Sequence, residues 1–349
     1  MAATLNIFPT KKGAAVFAAY TVLCVNQGIL VTLSQDKDGK YSYNTTTVVL
    51  LTEALKMVVS MFLYLKDSSF SNMLAEIKAN WKVGVLYIVP AFLYCLYNNL
   101  QFVNLSSYDP TTYYVFLQFR VVVTGVVYEL LFSRKLSRIQ WLSLFVLTTG
   151  CIVKELGHKS KLDGNTTSSP GWSLFGVKPN MALLLMVVQT LCSCIAAVYN
   201  EYLLKGKFQP QKNSSGTTPL MIQNIFMYGN SVLCNMLFLA LKGDFLHAVQ
   251  PDSIRSILQL KVLVIMINSC TNGIVTSLFL KELNAILKTF ANALEIIMTA
   301  FVTYLLFGTP LDVYAVIAIG LVLTALIAYN ANPIQNQPVV ETKKDENHV

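Results

Sequence analysis

Apolar residues run along this chain in blocks of about 20, each closed by charges, prolines or glycines. That is the length of helix needed to cross a ~30 Å hydrocarbon layer. A helix buried in a water-soluble fold would carry a polar stripe instead. Bounded in this way, the blocks predict spans at 14–34, 45–65, 83–103, 110–133, 139–155, 180–203, 219–241, 261–281, 284–307 and 312–329. Only a few residues separate the third span from the fourth and the eighth from the ninth. Lys11 and Lys12 precede a first block that is too long for a signal-peptide core and lacks a small-residue cleavage site, so it reads as a retained span.

Composition agrees with this pattern. Hydrophobic residues make up 54% of the chain and charged residues 13%, against about a quarter charged in a soluble domain. The net charge of +8 would suit a nucleic-acid partner only if the basic residues formed a surface, whereas they sit in short loops between the blocks. The seven cysteines all fall inside apolar blocks, where free thiols fit better than a disulfide framework. The three histidines lie in loops or the tail, so no metal site is expected. Neither a phosphate-cradling glycine loop nor a nucleophile elbow occurs in a strand–helix context. No cofactor is implied, and an enzyme would lack its nucleophile, metal set and acid–base pair.

With ten spans both termini share one side. Placing them in the cytosol puts 14 basic residues there and 9 on the opposite side, with Lys56, Arg120 and Lys288 inside spans; the bias follows the positive-inside rule. The chain then divides into a cytosolic N-terminus (1–13), a first five-helix half (14–155), a lumenal loop (156–179), a second five-helix half (180–329) and a polar, disordered cytosolic tail (330–349). Asn165 opens a sequon in the lumenal loop and is the glycosylation candidate.

A weak internal repeat supports two halves. Leu130-Leu-Phe-Ser-Arg-Lys-Leu136 matches Leu305-Leu-Phe-Gly-Thr-Pro-Leu311, each closing one span and opening the next after a tight turn. The match relates span four to span nine. An odd separation of five spans makes the copies antiparallel, the architecture of alternating-access transporters.

Charge at mid-bilayer costs at least ~2.5–3.5 kcal/mol per residue on insertion scales. Arg120 lies halfway along span four, and its guanidinium can fork onto phosphate oxygens; the alternative is an ion pair with Glu53 or Glu295. Lys288 lies one turn into span nine, where it either binds anion or snorkels to the interface. Glu295 is two turns further on the same face, as a cation's partner or a proton-coupling group. Glu53 and Lys56 (i, i+3) and Glu201 and Lys205 (i, i+4) are placed to neutralise each other. A second set could line one cavity: Asn98, Asn99, Tyr113, Tyr199, Asn224 and Tyr228, with Tyr94, Tyr97, Tyr114, Asn200 and Asn230 beside them. Tyrosine stacks on a base and asparagine reads its edge, although asparagine also bridges helices.

Leu51-Thr-Glu-Ala-Leu-Lys56, Tyr97-Asn-Asn-Leu100, Asp109-Pro-Thr-Thr-Tyr-Tyr114, Ala197-Val-Tyr-Asn-Glu-Tyr202, Gln223-Asn-Ile-Phe-Met-Tyr228 and Asn284-Ala-Ile-Leu-Lys288 together resemble the nucleotide-sugar transporters of solute carrier family 35, in the UDP-galactose and CMP-sialic acid branch. The resemblance spans about 40–330. It implies an all-α integral membrane protein, with ten helices in two inverted five-helix repeats of the drug/metabolite transporter type. It also implies Golgi residence and exchange of a nucleotide-sugar for a nucleoside monophosphate. Asn98, Asn99, Tyr113, Arg120, Tyr199, Asn224, Tyr228 and Lys288 fall where that family contacts nucleotide. Arg120 stands where the sialic acid carriers have Lys, and Leu117 where they have a second Tyr; both count against CMP-sialic acid and keep a pyrimidine nucleotide. The expected substrate is UDP-galactose or another UDP-sugar, exchanged for UMP. The expected partners are these ligands, the bilayer, and a second copy or a glycosyltransferase. The alternatives are a proton-coupled carrier of another organic solute, or a scaffold or trafficking protein without transport.

Overall fold

The computed structural model describes residues 10–34, 43, 45–107, 113, 116–133, 135–162, 181–206, 218–243, 250–251, 255, 257–307 and 313–331. Asn165, most of the 156–179 loop, Tyr108, Asp109, Tyr114 and the tail beyond 331 lie outside the described residues. Within them the secondary structure is helical: α1 (Lys11–Ser34), α2 (Thr45–Asp67), α3 (Phe70–Ala79), α4 (Trp81–Leu86), α5 (Ile88–Ser107), α6 (Arg120–Phe132), α7 (Arg138–Leu162), α8 (Met181–Gly206), α9 (Thr218–Lys242), α10 (Leu260–Glu282), α11 (Ala285–Phe307) and α12 (Val313–Asn330). Among the described residues six stretches are long and apolar enough to cross a membrane: Lys11–Val31, Thr45–Asp67, Trp81–Gln101, Leu183–Gly206, Pro219–Leu241 and Leu260–Glu282.

α1, α2 and α8 to α12 begin and end within three residues of the predicted spans. The departures are local and have physical causes. Residues 66–82, read as a loop, contain α3, which is capped by Ser69: its Oγ accepts the Asn72 N–H at 3.2 Å. Ten residues make ~15 Å of helix, too short for a search based on membrane thickness. The third span is broken at Tyr87 into α4 and α5. Pro90 cannot donate to the Leu86 carbonyl and its ring would clash there, so it sits in the first turn of a new helix instead. The fourth span turns at Phe119, whose N–H bonds the Phe116 carbonyl at 3.1 Å, and α6 starts at Arg120. α6 ends at Ser133, which is left-handed (φ 52°), at the tight turn expected there. The Glu129 carboxylate braces that turn by accepting the Leu136 N–H and the Trp141 indole N–H. α7 continues past the predicted end at 155 to Leu162.

The helices pack in cross-paired fashion: α7 on α12, α2 on α9, α5 on α8, α1 on α10, α6 on α8 and α1 on α11. Gly150 sets the α7–α12 distance, since a Cβ there would stand 3.0 Å from Leu321 Cβ; small residues permit such approach between membrane helices. Outward positions remain apolar, among them Phe62, Leu130, Leu305 and Val313, each more than 60% exposed. On a water-soluble surface so much apolar area would be anomalous, whereas against lipid tails it is expected.

Buried packing is concentrated toward one end. Phe17, Tyr64, Leu136, Leu204, Leu220, Phe279, Leu283, Phe290 and Tyr329 belong to one continuous core. The other end holds small separate clusters: Tyr43 with Val48, Ile257, Val262 and Met266; Leu50 with Leu239; and Tyr113 with Leu117 and Met186. At the well-packed end, Lys12 of α1 pairs with Glu282 of α10 at 2.8 Å.

Candidate functional site

Arg120 opens α6 at the turn made by Phe119, so its backbone is held on two sides. Its carbonyl accepts the Thr124 hydroxyl at 2.7 Å and the Cys194 thiol of α8 at 3.3 Å. The guanidinium meets no carboxylate among the described residues. The expected alternative partner Glu53 is engaged elsewhere. Lys288, in the first turn of α11, also lacks a carboxylate partner among the described residues. Its Nζ lies 5.8 Å from the centroid of the Tyr20 ring, within reach of a cation–π attraction. Tyr20 is fixed in turn by donating to Asn292 Oδ1 at 2.8 Å, one turn along α11 from Lys288. The fields of Arg120 and Lys56 both reach Lys288, so cations from α2, α6 and α11 act on one region.

Lys56 differs from the other two. Its Nζ is 2.6 Å from Glu53 Oε1 and 5.5 Å from the Tyr228 ring centroid. Gly273 of α10 makes this arrangement fit: a Cβ there would lie 2.8 Å from Lys56 Cε and 3.0 Å from the Tyr228 hydroxyl. Glu295 lies two turns beyond Lys288, and its field reaches Tyr20 and Cys24 of α1.

The amides and rings divide. Asn224 is 2% exposed, and its Nδ2 finds no acceptor among the described residues; a buried donor left unmet costs about 1–3 kcal/mol. Tyr228 of the same helix is buried against Lys56. Asn98 is exposed, while its half-buried neighbour Asn99 bonds back to the Cys95 carbonyl at 2.8 Å. Tyr199 is half-buried beside Tyr202, with ring centroids 6.1 Å apart. Tyr113 stands apart. It is fully buried, and its hydroxyl accepts Gln189 Nε2 at 2.8 Å, while Gln189 Oε1 accepts Asn104 Nδ2 at 2.7 Å. In this conformation it ends a run of hydrogen bonds that starts at Asn104, and Leu117 packs beside it. Asn230 bridges helices by donating to the Gly84 carbonyl at 2.8 Å, the structural use weighed above.

Sequence reasoning missed Tyr20, Asn292 and Gly273. Asn292 was in principle visible, being four residues after Lys288 and so on its face. Tyr20 and Gly273 carried no local signal, because their roles arise only where α1 meets α11 and α2 meets α10.

Arg120 and Lys288 are thus two cations on helices of different parts of the chain, neither with a carboxylate within salt-bridge distance among the described residues. Residues 14–330 match the family model described as nucleotide-sugar transporter, and the chain belongs to that family: it is a transporter, not an enzyme. It is 42% identical to the UDP-galactose transporter senju of Drosophila melanogaster, across 95% of this chain and 89% of that one. CMP-sialic acid transporter 1 of Oryza sativa subsp. japonica is 29% identical, across 90% of this chain and 92% of the relative. A crystal structure of a protein only 12% identical superposes with a TM-score of 0.63, covering 90% of this chain and 95% of that chain. At that identity the likeness shows the fold alone.

Proposed function

We propose that this transporter carries UDP-galactose, or another UDP-sugar, across the Golgi membrane into the lumen in exchange for UMP. The observation that carries this reading is the pair Arg120 and Lys288, acting on one region and lacking acid partners among the described residues. A diphosphate supplies the missing negative charge, and the guanidinium can take two of its oxygens at once. The unmet amide of Asn224, with Asn98, Tyr199 and Tyr228, offers contacts to base and ribose. The 42% likeness to a UDP-galactose transporter supports the choice of nucleotide.

The ligand is handled by ten spans in two inverted halves with both termini cytosolic. Helix packing supports this. If spans one to five correspond to six to ten, the contact of α1 with α10 maps onto that of α8 with α5, and α1 with α11 maps onto α8 with α6. α2 with α9 and α7 with α12 map onto themselves. This is the pattern of a two-fold axis in the membrane plane. The halves rock about the shared site, and each ligand lowers the barrier because both carry the uridine and phosphate.

The test is uptake of radiolabelled UDP-galactose by proteoliposomes containing the purified protein, with and without internal UMP. Uptake that is strongly stimulated by UMP is expected, and equal uptake in both conditions overturns the exchange mechanism. A panel of competing nucleotide-sugars ranks the substrates. A mobility shift on glycosidase treatment, absent in Asn165→Gln, tests a lumenal 156–179 loop.

A further inference from the structure

The pair Glu201 and Lys205 has the spacing of an ordinary i, i+4 ion pair, and Lys205 Nζ does lie 2.7 Å from Glu201 Oε1. The carboxylate, however, is completely buried and its other oxygen leaves the helix. Glu201 Oε2 accepts the Ala285 N–H at 2.6 Å, which is the first residue of α11. The Lys205 ammonium likewise continues beyond the pair and donates to the Leu283 carbonyl. Both charges of α8 therefore close on the turn between α10 and α11.

That turn starts the helix which carries Lys288. A helix begins with N–H groups that have no partner of their own. In α11, Ala285 is served by Glu201, Leu287 by Asn284 Oδ1 at 2.8 Å, and Lys288 by the Asn284 carbonyl at 3.1 Å. The buried carboxylate also sits at the positive end of the α11 dipole, where negative charge is favoured. Lys288 is three residues from the Ala285 N–H, so the clamp fixes the register and direction of the turn from which its side chain projects. Leu283 is held on its other side by α1, since a Cβ on Gly13 would stand 3.1 Å from Leu283 Cδ2.

We propose that Glu201 is a positioning residue for Lys288, assisted by Lys205, and that the pair makes α8 and the start of α11 move as one body when the carrier reorients. This rests on the reading of Lys288 as a phosphate contact.

The experiment is a double-mutant cycle on the purified full-length protein, with UMP affinity measured by calorimetry. Lys288→Ala tests the underlying reading: wild-type affinity in that variant removes Lys288 from the site and takes the proposal with it. Given a loss there, Glu201→Gln is expected to weaken UMP by about tenfold, and to weaken it no further in the Lys288→Ala background, the mark of one residue acting through another. Independent effects that multiply, or a Glu201→Gln variant binding as wild type, overturn positioning while leaving the nucleotide site intact. If Glu201→Gln does not fold, Lys205→Gln enters the same cycle, keeping the carboxylate on Ala285 and giving a loss of about threefold with the same non-additivity. The reciprocal exchange Glu201→Lys with Lys205→Glu discriminates further. A mere ion pair is rescued by it, whereas a helix cap is not, because lysine has no acceptor to offer the Ala285 N–H.

Discussion

The turn that opens α11 is bounded by ion pairs, while Lys288, in the first turn of that helix, has no carboxylate within salt-bridge distance among the described residues. Glu201 is held by Lys205 and by the helix start, and Lys12 by Glu282. Lys288 instead faces the Tyr20 ring, and the Arg120 carbonyl accepts the Thr124 hydroxyl, with no carboxylate at either cation among the described residues. Composition does not distinguish the two regions, since both contain basic residues on apolar helices. What separates them is whether the fold supplies the counter-charge. Where it does, the charges hold helices together. Where it does not, an ion inside the membrane remains costly until a ligand neutralises it. Lys56 is intermediate: it is paired with Glu53 yet lies against Tyr228 and within range of Lys288.

The largest effect is expected from removing a cation that has no acid partner among the described residues. Arg120→Ala should cut the exchange kcat/KM by about 100-fold or more, since each charge-assisted hydrogen bond to phosphate is worth about 1.5–3 kcal/mol and the guanidinium makes two. Arg120→Lys should recover part of this, restoring the charge without the fork. Proteoliposome kinetics on the three proteins measure both.

Breaking the intermediate case should cost activity and stability together. Glu53→Gln leaves Lys56 uncompensated and is expected to lower both thermal stability and exchange, by about tenfold for the latter. Glu53→Gln with Lys56→Gln should restore stability without restoring exchange, because removing a whole buried pair is milder than removing half of it. Recovery of both would class the pair with Glu201 and Lys205 as scaffold.

Gly273→Ala sharpens the same contrast by steric means. A methyl inside 3 Å of Lys56 should destabilise the protein by about 1–3 kcal/mol, as overpacking does, and weaken UMP binding measured by calorimetry. The smallest effect is reserved for Tyr113→Phe. It removes the acceptor for Gln189 at about 1 kcal/mol of stability and should leave UMP affinity within about twofold, as expected of a satisfied hydrogen bond between helices. A large loss of affinity would return Tyr113 to the site and show that its packed position changes during the cycle.

The chain itself determined where most of its helices lie. Apolar length against membrane thickness is a one-dimensional property, and it located α1, α2 and α8 to α12 to within three residues. It also marked Arg120 and Lys288 as anomalies, because the cost of charge in hydrocarbon is paid residue by residue. The strings around them carried the family, which the match over residues 14–330 then showed. Length alone was blind to α3, which lies below the threshold, and to the breaks at Tyr87 and Phe119 inside otherwise apolar blocks. Only the tertiary structure decided which cations keep a partner. Spacing suggested Glu53–Lys56 and Glu201–Lys205, since i, i+3 and i, i+4 neighbours share a helix face. That Glu201 also caps α11, that Gly273 leaves room for Lys56, that Tyr20 lies under Lys288 and that Tyr113 is closed off by Gln189 are contacts between helices remote in sequence. Such contacts depend on the relative rotation and depth of packed helices, which no local pattern of residues encodes.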